Sequence, residues 1–276
     1  MPATLDQIVA AARRRAAQAR PQAKVRQLEQ AAEKHAPRGF RQALQAKATA
    51  GAAVIAELKR ASPSRGVIRA NFDPSGLAKE LEQAGAAALS VLTDEEYFQG
   101  SLENLRRASS ATALPCLRKD FIVDEFQLLE ARAYSADAVL LIVAALSQQE
   151  LAALAARAAD HGLDVLCEVH DQEELHRALD AGCSLIGVNS RDLRTFRVDL
   201  ETALGLASLL PKNVLPVAES GISSGSDVVR LLAAGYRAFL IGESLMQAAS
   251  PGAALRRLLS EAATCTNSAP KARASD

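Results

Sequence analysis

From Ala53 onward one pattern repeats along the chain. A short continuous apolar run ends on polar residues, an Ala/Leu-rich stretch with helical spacing follows, and Gly or Pro precedes the next run. The eight runs are Ala53–Lys59, Ala86–Thr93, Leu114–Lys119, Ala138–Val143, Leu163–Val169, Ser184–Asn189, Val214–Glu219 and Ala238–Gly242. Gln148–His161 and Gln172–Ala181 read as helices between them, stopped by Gly162 and Gly182. Glycine just past a last helical turn takes the left-handed conformation that other residues avoid. Strands that alternate with helices pair in parallel, because each return needs a crossover. Parallel strands are covered on both faces, so a run such as Leu140-Leu141-Ile142-Val143 is apolar without alternation.

Eight such units predict an α/β fold, a closed (βα)8 TIM barrel. The alternative is an open doubly wound sheet, which usually carries a G-x-G-x-x-G turn after its first strand. Here the first run ends in Glu57-Leu58-Lys59-Arg60. Ahead of it, Leu5–Ala19 and Gln22–Lys34 read as two helices split at Pro21. The pattern therefore assigns residues 1–50 to an N-terminal helical extension over the barrel mouth, 51–262 to the barrel, and 263–276 to a polar, disordered tail. Arg13-Arg14-Arg15 reads as a solvated helix face, or else as part of a cap reaching an anionic ligand.

Composition narrows the function classes. Lys plus Arg total 32 and Asp plus Glu total 32, so the basic excess of a nucleic-acid binder is missing. The longest clean apolar run, Ala138–Leu146, is far short of the roughly 20 residues of a membrane-spanning helix. Arginines follow the first apolar stretch, the reverse of a secretory signal. The expectation is a cytoplasmic monomer with no membrane or nucleic-acid partner. Cys116, Cys167, Cys183 and Cys265 form no C-x-x-C and lie at no metal-ligand spacing from a His, so they read as buried small hydrophobes with no metal.

The candidate chemistry lies at the strand ends. Side chains alternate across a strand, so Glu57 and Lys59 share a face with Ile55, Lys119 with Leu117, Glu168 with Leu166, Asn189 with Gly187, and Glu219 with Val217. Charges buried in a barrel wall cost several kcal/mol each unless paired. Gathered at the C-terminal mouth they form a site, where barrel enzymes place their chemistry. Lysines and carboxylates held together perturb one another's pKa values and suit acid–base work. His170 follows Glu168 by two residues and is either a supporting group or a surface residue. Glu219-Ser220-Gly221-Ile222 and Ile241-Gly242-Glu243-Ser244 follow the seventh and eighth runs, where barrels frequently bind phosphate.

The chain resembles the indole-3-glycerol phosphate synthase family. The resemblance rests on Ile55-Ala-Glu-Leu-Lys-Arg-Ala-Ser-Pro-Ser64, Leu92-Thr-Asp-Glu-Glu-Tyr-Phe-Gln-Gly-Ser101, Arg118-Lys-Asp-Phe-Ile-Val-Asp124, Glu168-Val-His170, Gly187-Val-Asn-Ser-Arg-Asp-Leu193, Ala218-Glu-Ser-Gly-Ile222 and Ile241-Gly-Glu-Ser-Leu-Met246. It implies closure of the indole ring of a carboxyphenylamino-deoxyribulose phosphate, with loss of carbon dioxide and water and no cofactor or metal. Lys119 matches the family's general acid, Glu168 a proton-transfer carboxylate, and Glu57 a further essential carboxylate. Lys59 matches a substrate- and phosphate-facing lysine. Asn189, Glu219, Ser62, Arg191, Leu193 and Ser220 match further catalytic and substrate-contacting positions. Phe98 and Phe121 match the wall around the aromatic ring, and Ser220, Gly221, Gly242 and Glu243 the phosphate loops. Some members carry Ser at position 243, so the backbone N–H there is expected to face the anion rather than the Glu243 side chain. No second barrel follows, so a monofunctional chain is expected. An isomerase of related type would lack the Glu57-x-Lys59 pair, and a barrel that merely binds phosphorylated ligands would not need Lys119.

Overall fold

The computed structural model describes residues 4–193 and 195–268. Among them are ten strands: β1 (Ala53–Leu58), β2 (Ala61–Ser62), β3 (Gly66–Val67), β4 (Ala88–Leu92), β5 (Cys116–Lys119), β6 (Ala138–Ile142), β7 (Asp164–Val169), β8 (Leu185–Asn189), β9 (Leu215–Glu219) and β10 (Ala238–Ile241). β1 and β4 through β10 close a barrel in chain order, each parallel to its neighbours. These are the eight predicted runs, trimmed by one to three residues. β2 and β3 form a small antiparallel hairpin after β1; with two residues each they are too short to leave a periodic signal.

Each barrel strand is buried on both faces. Val54, Leu89, Val139, Cys167, Val188 and Phe239 pack outward beneath the helices. Ile55, Leu117, Leu140, Leu166, Val217 and Leu240 fill the interior. This explains why the runs are continuously apolar until their last inward-facing position, where the polar residues begin.

The N-terminal segment departs from the sequence reading in two ways. It holds three helices, α1 (Leu5–Gln22), α2 (Val25–Glu33) and α3 (Phe40–Ala48). α1 starts at a capping box between Thr4 and Gln7 and runs through Pro21. A proline so near a helix end removes one hydrogen bond from an exposed last turn, so the break falls at Ala23–Lys24 instead. The segment also does not lie wholly over the mouth. Phe40 and Leu44, one turn apart on α3, are fully buried against Ala53, Ile55, Ala88 and Leu117. Arg41 N–H donates to Asp164 Oδ2 at 2.9 Å and its guanidinium to Ser184 Oγ at 2.8 Å, at the starts of β7 and β8. Asp137, just ahead of β6, accepts from Arg38 Nη2 at 2.6 Å and Nε at 3.0 Å. α3 is therefore the floor of the barrel. The first inward residues of four strands are alanines (Ala53, Ala88, Ala138, Ala238), which leaves the volume that Phe40 and Leu44 fill. Only α1 reaches the mouth, where Leu5 and Ile8 line the cavity.

At the other end the helix Pro251–Ser268 runs six residues past the expected boundary at 262. Ala262 is buried, and Glu261 Oε2 accepts from Gly225 N–H at 3.2 Å, so that surface continues to pack. Positions 269–276 of the expected tail lie outside the described residues. Cys116, Cys167 and Cys183 are free and buried as expected, whereas Cys265 is exposed on that last helix. Among the described residues no helix is long and apolar enough to cross a membrane.

Candidate active site

Alternation along the strands delivers Glu57, Lys119, Glu168, Asn189 and Glu219 to the inner face at the C-terminal end of the barrel. There they line a cavity of about 650 Å³. Lys59, Ser62, Phe98, Phe121, Arg191, Leu193, Ser220, Gly221, Gly242 and Glu243 line the same cavity, so every site residue expected from the sequence converges on one place.

The floor of the cavity is a charge network. Lys119 Nζ donates to Glu168 Oε2 at 2.8 Å and to Glu219 Oε2 at 3.2 Å. Asn189 Nδ2 donates to Glu168 Oε1 at 3.1 Å. Lys59 Nζ donates to Glu57 Oε1 at 2.7 Å. One lysine thus stands between two buried carboxylates that cannot both ionise cheaply. Burial works against the charge on Lys119, but the attraction of Glu168, Glu219 and Glu57 outweighs it and holds the ammonium protonated. Burial also disfavours the Glu168 carboxylate, yet Lys119 and His170 overrule it and keep that group well below the usual carboxyl range. Glu219 goes the other way. Burial pushes it up to about 8 against the pull of Lys119, with Glu168 and Glu57 adding repulsion. Its Oε1 is buried without a hydrogen-bond partner. Two carboxylates whose environments drive their pKa values apart are an arrangement that suits acid–base chemistry.

Two glycines make room for this network. A Cβ on Gly187 would collide with Glu219 Oε1, and one on Gly242 with Glu57 Oε1. Gly242 has φ of −129°, so it is required for space rather than for backbone conformation. The reading of Gly242 as a phosphate-loop glycine is thereby extended, since its missing side chain is what lets Glu57 stand beside Lys59. Gly221 and Ser220 both adopt positive φ, 78° and 65°, bending the chain sharply after β9.

The rim divides by polarity. On one side the Phe98 and Phe121 rings stand 6.3 Å apart, tilted by 37°. Asp94 caps the short helix Glu95–Phe98 by accepting from Tyr97 N–H at 2.7 Å, which positions Phe98. On the other side Glu243 accepts from Arg65 Nε at 3.0 Å, and its second oxygen lies 3.4 Å from Arg191 Nη2. Flanked by two guanidinium groups, this carboxylate no longer repels an approaching anion. Ser62 is buried, with its hydroxyl 3.5 Å from that of Ser64 in the hairpin.

Three residues of the site escape the sequence reading. Asp120, buried at the edge of the cavity beside Lys119, accepts from Thr93 Oγ1 at 2.6 Å, Arg118 Nη2 at 3.0 Å and Phe121 N–H at 2.8 Å. Arg15 of α1 reaches Asp94 at 2.5 Å and Asp120 at 3.9 Å, fastening the helix to the loops that carry Phe98 and Phe121. Arg15 thus fastens α1 to these loops, while Arg13 and Arg14 are exposed as a solvated face, Arg13 pairing with Glu150 at 2.9 Å. Arg65 is the third. Partners so far apart in the chain leave no local trace, although Asp120 is legible as a buried charge beside Lys119.

Comparison with known proteins agrees with this geometry. Among solved structures the fold is similar to a mandelate oxidase mutant (TM-score 0.61, 19% identity, 78% of this chain and 74% of that chain) and to thiamine phosphate pyrophosphorylase from Pyrococcus furiosus (TM-score 0.57, 18% identity, 79% and 98%). At such identities the likeness is one of fold alone. Sequence relatives are far nearer. An indole-3-glycerol phosphate synthase of Koribacter versatilis is 61% identical over 259 residues, covering 94% of this chain and all of the relative. One of Leptothrix cholodnii is 54% identical over 222 residues, covering 80% and 85%. The family profile described as indole-3-glycerol phosphate synthase matches residues 5–258, and with that match the chain belongs to the indole-3-glycerol phosphate synthase family.

Proposed function

We propose that the chain carries out its family's carboxy-lyase reaction of tryptophan biosynthesis through the lysine–carboxylate network on the cavity floor. The observation that carries the assignment of roles is Lys119 hydrogen-bonded to both Glu168 and Glu219, with Asn189 donating to Glu168 alone, an arrangement that holds Glu168 below and Glu219 above the ordinary carboxyl range. Ring closure places negative charge on a ketone oxygen. A lysine kept charged is an electrostatic partner for that oxygen at every working pH, and a proton donor as the charge develops. Loss of carbon dioxide then restores the aromatic ring. Dehydration needs an acid for the departing hydroxyl and a base for a carbon-bound proton. Glu168, already ionised, suits the base; Glu219, which retains its proton toward pH 8, suits the acid.

The substrate's orientation follows from the rim. Its aromatic ring lies against Phe98, Phe121 and Leu193, and its phosphate against Ser220, Gly221 and the backbone around Gly242 and Glu243, with Lys59 and Arg191 supplying positive charge. Glu57 holds Lys59, and Asn189 orients Glu168. The test is an absorbance assay for indole product with the carboxyphenylamino-deoxyribulose phosphate, run on the wild type, Lys119→Met and Glu168→Gln. Wild-type turnover with both variants severely impaired is expected, and a fully active Glu168→Gln would remove the base assignment.

The same reading makes the chain a cytoplasmic monomer that binds no nucleic acid. Among the described residues the exposed large apolar side chains are Val25, Val67 and Leu209, which do not form one patch in the sequence. Three buried free thiols fit a reducing compartment. Light scattering on the purified protein tests the monomer.

A further inference from the structure

His170 follows β7 directly and lies behind Glu168, outside the cavity wall. Both of its ring nitrogens face carboxylate oxygens. Nδ1 is hydrogen-bonded to Glu174 Oε2 at 2.9 Å, and Nε2, which makes no hydrogen bond, lies at an ion-pair distance of 3.4 Å from Glu168 Oε1. A neutral imidazole carries one N–H, so one carboxylate would face a nitrogen lone pair in a site with little water. A protonated ring presents N–H to both. Glu174 is itself fixed, because its oxygen also accepts from His170 N–H at 2.8 Å and its own N–H donates to the helix cap Asp171 at 2.9 Å.

We propose that His170, braced by Glu174, is a positioning residue that stays protonated and holds Glu168 ionised, so that the spare proton of the active site resides on Glu219. This rests on the reading of Glu168 as the base. The groups facing Glu168 from other elements are Lys119 of β5 and the amide of Asn189 of β8, and beyond Lys119 stands Glu219 of β9. The neighbouring β6 and the turn Val143–Ala145 present no charged side chain. The positive charges bearing on Glu168 are therefore Lys119 and His170. Glu219 has the first and lacks the second, and this asymmetry separates two carboxylates that otherwise share one lysine. Burial alone would favour a neutral ring, but the two carboxylates beside it, Glu168 at ion-pair distance and Glu174 by a hydrogen bond, raise His170 to about 10.

The experiment is the pH profile of kcat/KM for the wild type, His170→Leu and Glu174→Gln, which keeps an acceptor for the backbone N–H. Loss of the imidazolium should move the acidic limb upward by about one pH unit or more, which is roughly a tenfold loss on that limb. Above that limb but below the range in which Glu219 gives up its proton, where Glu168 is ionised in either protein, activity should recover to within about threefold. Glu174→Gln should shift the limb in the same direction by less. An equal loss at every pH would show a merely structural role and overturn the proposal. Should His170→Leu fail to fold, NMR titration of the His170 ring in the wild-type protein decides. A ring still charged above about pH 8 is expected, and a neutral ring at pH 7 overturns the proposal. Glu168→Gln keeps the two failures apart. If it is active, the base assignment falls; if it is inactive while His170→Leu keeps the wild-type limb, only the role of His170 falls.

Discussion

Lys119→Met is the sharpest test of the network, because methionine keeps much of the stem and removes the charge. With Glu219 protonated, the floor holds two lysines against two carboxylates, Glu57 and Glu168, and is neutral. Removing the ammonium leaves one net negative charge where the reaction must place another. Glu219 loses the one hydrogen-bond donor it has on either oxygen, while Glu168 retains the Asn189 amide as donor and the His170 ring at ion-pair distance. Loss of a general acid typically lowers a rate by about 10²–10⁴-fold. Loss of one preorganised donor to a developing oxyanion costs about 2.7–4 kcal/mol, which falls in the same range. A drop in kcat of at least about a hundredfold is therefore expected. KM should change much less, since the interaction strengthens mainly as charge develops. Steady-state turnover followed by absorbance gives both constants. Lys119→Arg supplies the second arm: it keeps the charge but is effectively never deprotonated, so it should not restore the rate if proton transfer is essential. A Lys119→Met enzyme with more than about a tenth of wild-type kcat would refute the assignment and require a donor other than lysine.

Four further outcomes rest on particular contacts. Gly242→Ala places a methyl against Glu57 Oε1 and should break its 2.7 Å bond to Lys59, so kcat should fall along with any rise in KM; a pure KM effect in steady-state kinetics would restrict Gly242 to the phosphate. Deleting residues 1–24 removes α1 and the Arg15 contacts with Asp94 and Asp120, and should raise KM while circular dichroism still reports a folded barrel. Deleting residues 1–49 also removes Phe40 and Leu44. At about 3–5 kcal/mol for a buried Phe and 2–5 for a Leu, that loss rivals a typical total stability of about 5–15 kcal/mol, so the longer truncation should not fold. Glu219, raised to about 8, keeps a proton in the folded state that the unfolded chain releases above the ordinary carboxyl range, so its contribution to stability declines as pH rises toward 8. Glu219→Gln should flatten that decline and raise Tm at pH 8 relative to the wild type; an unchanged pH dependence of Tm would mean that Glu219 is ionised in the resting site.

What the sequence reveals of this enzyme, and what it hides, divides along one physical line. The strand alternation is local, with a period of two residues, so Glu57, Lys119, Glu168, Asn189 and Glu219 can be placed on one face from their in-phase apolar neighbours alone. The same holds for the strands themselves, whose burial on both faces writes continuous apolar runs. Contacts that close the barrel from outside its repeat have no such period. Phe40 and Leu44 are an ordinary i, i+4 pair until the alanines at the strand starts are seen to leave a hole of their size. Arg15 meets Asp94 across 79 residues of chain and reads as part of a basic run until α1 is docked. The proton's place is hidden for a further reason. Three carboxylates and two lysines can be counted in the sequence, but which carboxylate is charged depends on the imidazole at ion-pair distance behind Glu168 and the unpartnered oxygen of Glu219. Residue types thus name the chemistry, whereas the acid and the base, equally buried, are distinguished by which donors and charges stand beside each, and that belongs to the folded site alone.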